Sequence, residues 1–75
     1  MKRLSPTEQL GQRVRELRLL RGWPQEDLGV QCNLDRTYVS GIERGVRNPT
    51  LTVISALAAG LRVSVAELFL DTAGS

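Results

Sequence analysis

The run from Gln25 to Gly45 restricts the fold of this chain more than any other segment. Its first part is apolar at Leu28, with Cys32 one turn on. Its last part is apolar at Val39 and Ile42 and polar on the opposite side. Between them stands Asn33, a residue that accepts a left-handed backbone. The spacing predicts two short helices joined by a tight turn. Gly29 supplies a small residue where the helices must approach closely, and Leu34, Val39 and Ile42 plug the space beneath the second helix.

Two helices crossing over such a turn form a helix-turn-helix. In that motif one helix braces the other against the major groove of DNA.

With 75 residues the chain has room for one domain and one small core. We read residues 1–75 as a single DNA-binding domain, with the motif at about 25–45 and a frayed polar tail at about 71–75. A separate effector-sensing domain is not expected. Neither is a small-molecule ligand or a cofactor. With one cysteine and no histidine, neither a disulfide framework nor a zinc site is expected. Cys32 reads as a small buried hydrophobe in a reducing compartment. No signal peptide or membrane-length apolar run is visible, so the expected location is the cytoplasm, with no membrane contact. Ten basic residues stand against eight acidic ones, and the cations are nearly all arginine. Arginine suits planar recognition of phosphate and guanine. A net charge of +2 does not by itself favour nucleic acid, so the placement of the arginines must decide.

The remaining segments also read as helices. Ser5 can cap a first helix, Pro6 fits its first position and Glu8 can close a capping box. Leu10, Val14 and Leu17 form its inner stripe, with Leu20 next, and Gly22 ends it. Pro24 opens the second helix, and Glu26 and Asp27 favour its positive end. Asp35 caps a third helix from Arg36 to about Arg44, closed by Gly45. After an Arg47-Asn48-Pro49 loop, Thr50 caps a fourth helix with Leu51, Ile54, Leu57 and Ala58 inside. Gly60 weakens its last turn. Ser64 and Glu67 form a second capping box, opening a short fifth helix that carries Leu68 and Phe69. Trp23 reads as packing.

Leu10–Arg18, Gly22–Leu28, Tyr38–Leu51 and Val63–Phe69 together resemble the Cro/phage-repressor (XRE) helix-turn-helix family. The likeness spans about residues 8 to 70. Asn33 to Arg44 is most similar to the controller proteins of restriction–modification systems, small dimeric regulators that time endonuclease expression. The helical segments read as an all-α domain of five helices, which the resemblance makes lambda-repressor-like. With no histidine, no metal cluster and no glycine-rich phosphate loop, an enzyme is not expected. The resemblance also implies roles. Arg36, Thr37 and Ser40 match the groove-facing positions of the third helix and would read bases; Arg36 suits guanine and the Thr37 methyl suits thymine. Gln25, Tyr38 and Arg44 match contacts to the DNA backbone. Arg47 flanks the recognition helix and is expected on phosphate and on bases near the operator centre. Arg18 and Glu43 match an ion pair between the first and third helices. Two departures stand out. Pro24 replaces the usual serine or threonine cap, and Gly29 replaces a common alanine.

The expected partner is a double-stranded, pseudo-palindromic operator bound by a homodimer. Leu61, Val63, Val65, Leu68, Phe69 and Leu70 are more apolar groups than a small core needs, and they form the expected dimer surface. Glu26 and Asp27 mark a surface where RNA polymerase contact is expected in some relatives. Two rival readings remain at this point: a general or phage-type repressor, and an antitoxin that binds a toxin protein and autoregulates its operon.

Overall fold

The structure, a computed structural model, describes residues 4–70. The expected frayed tail lies outside them. Four α-helices follow one another: α1 (Pro6–Leu20), α2 (Gln25–Cys32), α3 (Arg36–Glu43) and α4 (Leu51–Leu61). A single 3-10 turn, Ala66–Phe69, closes the described chain.

Three of the four α-helices begin where the sequence offers a side-chain acceptor. The Glu8 N–H donates to Ser5 Oγ at 3.2 Å, and the Ser5 N–H donates to Glu8 Oε1 at 3.0 Å, which completes the capping box of α1. The Asp35 carboxylate accepts from the Thr37 N–H at 2.7 Å, and Thr50 Oγ1 accepts from the Val53 N–H at 3.3 Å. Pro24 precedes α2 without any side-chain cap.

The helices end on left-handed residues. Gly22 (φ 71°) follows α1, and Gly45 (φ 77°) follows α3. After Gly45 the chain doubles back, so that the Val46 N–H reaches the Gly41 carbonyl at 3.0 Å. Asn33 (φ 57°) makes the turn between α2 and α3, where the Leu34 N–H meets the Gly29 carbonyl at 2.8 Å. Gly29 leaves room for that turn rather than for a neighbouring helix. A Cβ on it would lie 2.6 Å from the Leu34 carbonyl oxygen.

Val14, Leu28, Val39, Leu57, Leu61 and Leu68 are fully buried, with Leu10, Leu17, Cys32, Ile42 and Ala58 around them. α1 packs on α3, α2 packs on both α3 and α4, and the closing turn packs on α1. Trp23, Leu34, Tyr38, Ile54 and Val63 rim this core.

Three expectations are corrected. Leu20 is 77% exposed and Leu51 is 72% exposed, so neither faces inward. At 100° per residue, Leu20 and Arg18 lie about 80° to opposite sides of the Leu10 direction, and α3 covers the Arg18 side. Leu51 starts α4 on the side away from Leu57. The expected fifth helix is one 3-10 turn. The Ser64–Glu67 capping box does form, with hydrogen bonds of 3.0 and 3.1 Å. However, one turn is enough to bury Leu68, and Leu70 is already extended.

Candidate nucleic-acid interface

α3 is sharply two-sided. Val39 and Ile42 point into the core, while Arg36 and Thr37 are exposed and Ser40 is half-buried. The Asp35 cap uses the backbone N–H of Thr37 and leaves its hydroxyl outside that bond. Burial of Val39 and Ile42 therefore fixes the direction in which the three polar side chains project.

The orientation of α3 is set at its other end. Glu43 accepts from Arg18 Nε at 2.7 Å and from Arg18 Nη2 at 2.9 Å, a two-pronged pair. Arg18 Nη1 donates to the Trp23 carbonyl at 2.8 Å, and Gln25 Nε2 donates to Glu43 Oε1 at 3.1 Å. The Glu43 side chain is only 3% exposed. One carboxylate thus gathers α1, the loop after it, the start of α2 and the end of α3. Hydrogen bonding to Glu43 pushes the Arg18 guanidinium further above its already high value, against the opposing effect of burial.

Above this pair lies a shallow cleft lined by Arg15, Arg18, Gln25, Glu43 and Arg44. Arg15 and Arg44 are exposed, and the first N–H groups of α2, near Gln25, lack helical partners. Two arginines beside a helix N-terminus favour an anion. Arg15 is not among the residues expected from the sequence to touch DNA. The usable signal was its three-residue spacing from Arg18, which puts both on one side of α1. Gln25 already gives one Nε2 hydrogen to Glu43, so a second hydrogen remains for another acceptor.

Tyr38 is half-buried, and the Arg47 guanidinium carbon stands 5.6 Å from the centre of its ring. The exposed acids Glu26 and Asp27 lie on the first turn of α2.

The apolar residues expected on a dimer surface divide. Leu61 and Leu68 have no exposed surface and belong to the core of the single chain. They were misplaced because the sequence does not show that α4 and the closing turn pack inward at these positions. Val63 is half-buried, while Val65, Phe69 (54%) and Leu70 (56%) are exposed. Among the described residues there is no group of three or more metal-ligating side chains and no helix long and apolar enough to cross a membrane.

Comparison with known proteins matches residues 14–68 to the helix-turn-helix family model. The restriction–modification controller protein C.AhdI from Aeromonas hydrophila is 48% identical, with a TM-score of 0.82 over 84% of this chain and 96% of that one. The controller protein C.Esp1396I, solved as a tetramer in complex with its natural 35 base-pair operator, is 39% identical, with a TM-score of 0.80 over 89% of this chain and 88% of that one. A hypothetical transcription factor from Neisseria meningitidis is 46% identical over 61 residues, which are 81% of this chain but only 58% of that protein. The chain belongs to the XRE-type helix-turn-helix family, among the relatives of the restriction–modification controller proteins.

Proposed function

We propose that this chain is a sequence-specific transcriptional regulator of the controller type, binding a pseudo-palindromic operator as a homodimer. The observation that carries this reading is the two-sided α3. Its apolar side is locked into the core, and its polar side carries Arg36, Thr37 and Ser40. Arg36 pairs with guanine O6 and N7, and the Thr37 methyl meets thymine. Ser40 and Arg47 complete the base contacts. Gln25, Arg44 and Arg15 hold phosphate across the cleft beside the Arg18–Glu43 pair, and Tyr38 touches the backbone through its hydroxyl.

The dimer face is the apolar edge formed by Val65, Phe69 and Leu70, with Val63 at its margin. Two reading heads then meet half-sites about one helical turn, roughly 34 Å, apart. The acids Glu26 and Asp27, beside the exposed Val30, are the surface offered to RNA polymerase. The likeness to an operator-bound controller tetramer supports the DNA-binding reading.

The test is titration of the chain against duplex from upstream of its own gene, with a scrambled duplex as control, at about 150 mM salt. Preference for the upstream duplex by about a thousandfold or more is expected of a specific operator protein. Equal binding to both would remove the proposal.

A further inference from the structure

Two successive residues of the loop after α3 are fastened to one carbonyl of that helix. The Gly41 carbonyl accepts the N–H of Val46 at 3.0 Å and that of Arg47 at 3.3 Å. The bare Cα of Gly41 also leaves the space that the Arg47 side chain fills. A Cβ built there would lie 2.5 Å from Arg47 Cγ, well inside ordinary carbon contact, and 3.4 Å from Arg47 Nε, in contact with it. Further out, the Arg47 guanidinium rests 5.6 Å from the Tyr38 ring centre, within reach of a cation–π contact. Tyr38 and Gly41 are three residues apart and so lie on one side of α3.

Gly41 has no other evident reason to be glycine. Its backbone is helical, where alanine is preferred. A Cβ on Gly11 or Gly29 would meet backbone atoms of another segment first, and one on Gly60 would strike the buried Cys32 Sγ and then the Gln31 backbone. The three atoms nearest a Cβ on Gly41 all belong to the Arg47 side chain.

We propose that Gly41 is a positioning residue for DNA recognition. With the Tyr38 ring it forms a seat that orders Arg47 along the recognition helix before DNA arrives. Arg47 then loses little rotamer freedom on contact, and its guanidinium enters the DNA from one defined direction. This deepens the reading of Arg47 as a base contact and rests on it.

The test compares Gly41→Ala, Arg47→Ala and the double variant on the duplex that the parent binds specifically and on duplexes changed one base pair at a time. Arg47→Ala is expected to lose about 5- to 150-fold in affinity, the worth of one good base contact. Gly41→Ala is expected to melt no lower than the parent and to lose about 2- to 12-fold, the ordering cost of one long side chain. Its losses fall at the base pairs that Arg47→Ala affects, and the double variant loses no more than Arg47→Ala alone. In the DNA-free protein, the ring-current shift on the Arg47 side-chain protons disappears in Gly41→Ala.

Gly41→Ala with parental affinity and selectivity, beside a damaged Arg47→Ala, overturns the seat and leaves the role of Arg47 standing. Arg47→Ala with parental binding removes that role and the seat with it. If Gly41→Ala does not fold, Tyr38→Leu and Tyr38→Phe decide. The proposal requires lost discrimination at the Arg47 positions in Tyr38→Leu and retained discrimination in Tyr38→Phe, and the reverse overturns it.

Discussion

Glu43 grips Arg18 with both carboxylate oxygens, at 2.7 and 2.9 Å, and so ties the end of the recognition helix to the helix that precedes the motif. No buried side-chain nitrogen or oxygen among the described residues lacks a partner, and this cluster is the densest place where that had to be arranged. Removing one of the two charged members leaves the other at the edge of the core without its counter-charge. Arg18→Ala is therefore expected to lower stability by about 3–5 kcal/mol in urea denaturation. Arg18→Met combined with Glu43→Leu should cost less than the single change. A loss under about 1 kcal/mol for Arg18→Ala would show that the pair behaves as an exposed one.

Arg15 and Arg44 should act on affinity without changing sequence preference. Each replacement by alanine is expected to weaken all duplexes about equally. Each should also reduce the slope of log K against log salt by about 0.9, one phosphate contact. The measurement is fluorescence anisotropy from about 50 to 200 mM salt. A changed base preference in Arg44→Ala would move it among the reading residues.

Cys32 makes stability fall in alkali. Burial pushes its thiol from an ordinary 9.0 up to about 11. Between these values the unfolded chain sheds the proton and the folded chain keeps it. The contribution is therefore fully present below about pH 9 and is lost as pH rises towards 11. Cys32→Ala should lower stability at neutral pH and flatten the decline over that window. The parent thiol should react slowly with iodoacetamide at pH 8, because it is both buried and protonated.

Phe69 stands more than half exposed at the apolar edge, so its replacement separates assembly from folding. Phe69→Asp is expected to weaken self-association by about 2 kcal/mol or more, as loss of an interface anchor does. Sedimentation at tens of micromolar should show a dimer for the parent and a monomer for the variant, with the helical signal unchanged. A parent that sediments as a monomer would remove the dimer.

What was legible in the sequence is what local chemistry decides. The Ser5–Glu8 box, the Asp35 and Thr50 caps, the left-handed Asn33 and the stripe Leu10, Val14, Leu17 each depend on residues within a turn of one another. The polar side of α3 followed from Val39 and Ile42 in the same way. What escaped depends on which neighbour covers which side. Leu20 has a helical spacing like that of its buried neighbours, but it stands largely exposed among the described residues. Ser64 and Glu67 form a complete cap in a segment that makes only one turn. Gly60 looked like a weak point in α4. Instead, a Cβ there would strike Cys32 Sγ and crowd the Gln31 carbonyl, so the glycine lets α2 and α4 touch. Arg62 takes the left-handed position after α4, at φ 62°, a place where glycine would have announced the helix end. Arg15 lines the cleft because Glu43 holds both Arg18 of α1 and Gln25 of α2, which brings that side of α1 towards the start of α2.

The proposed reading head is α3, with Arg36 at its exposed N-terminal end. The most direct measurement is selection of bound duplexes from a random pool at about 150 mM salt, with Arg36→Ala carried in parallel. A palindromic motif is expected for the parent. The variant should keep the same motif with preference relaxed at one base pair per half-site, at a cost of about 1–3 kcal/mol. No enriched motif, or an identical motif of equal strength from both proteins, would contradict it.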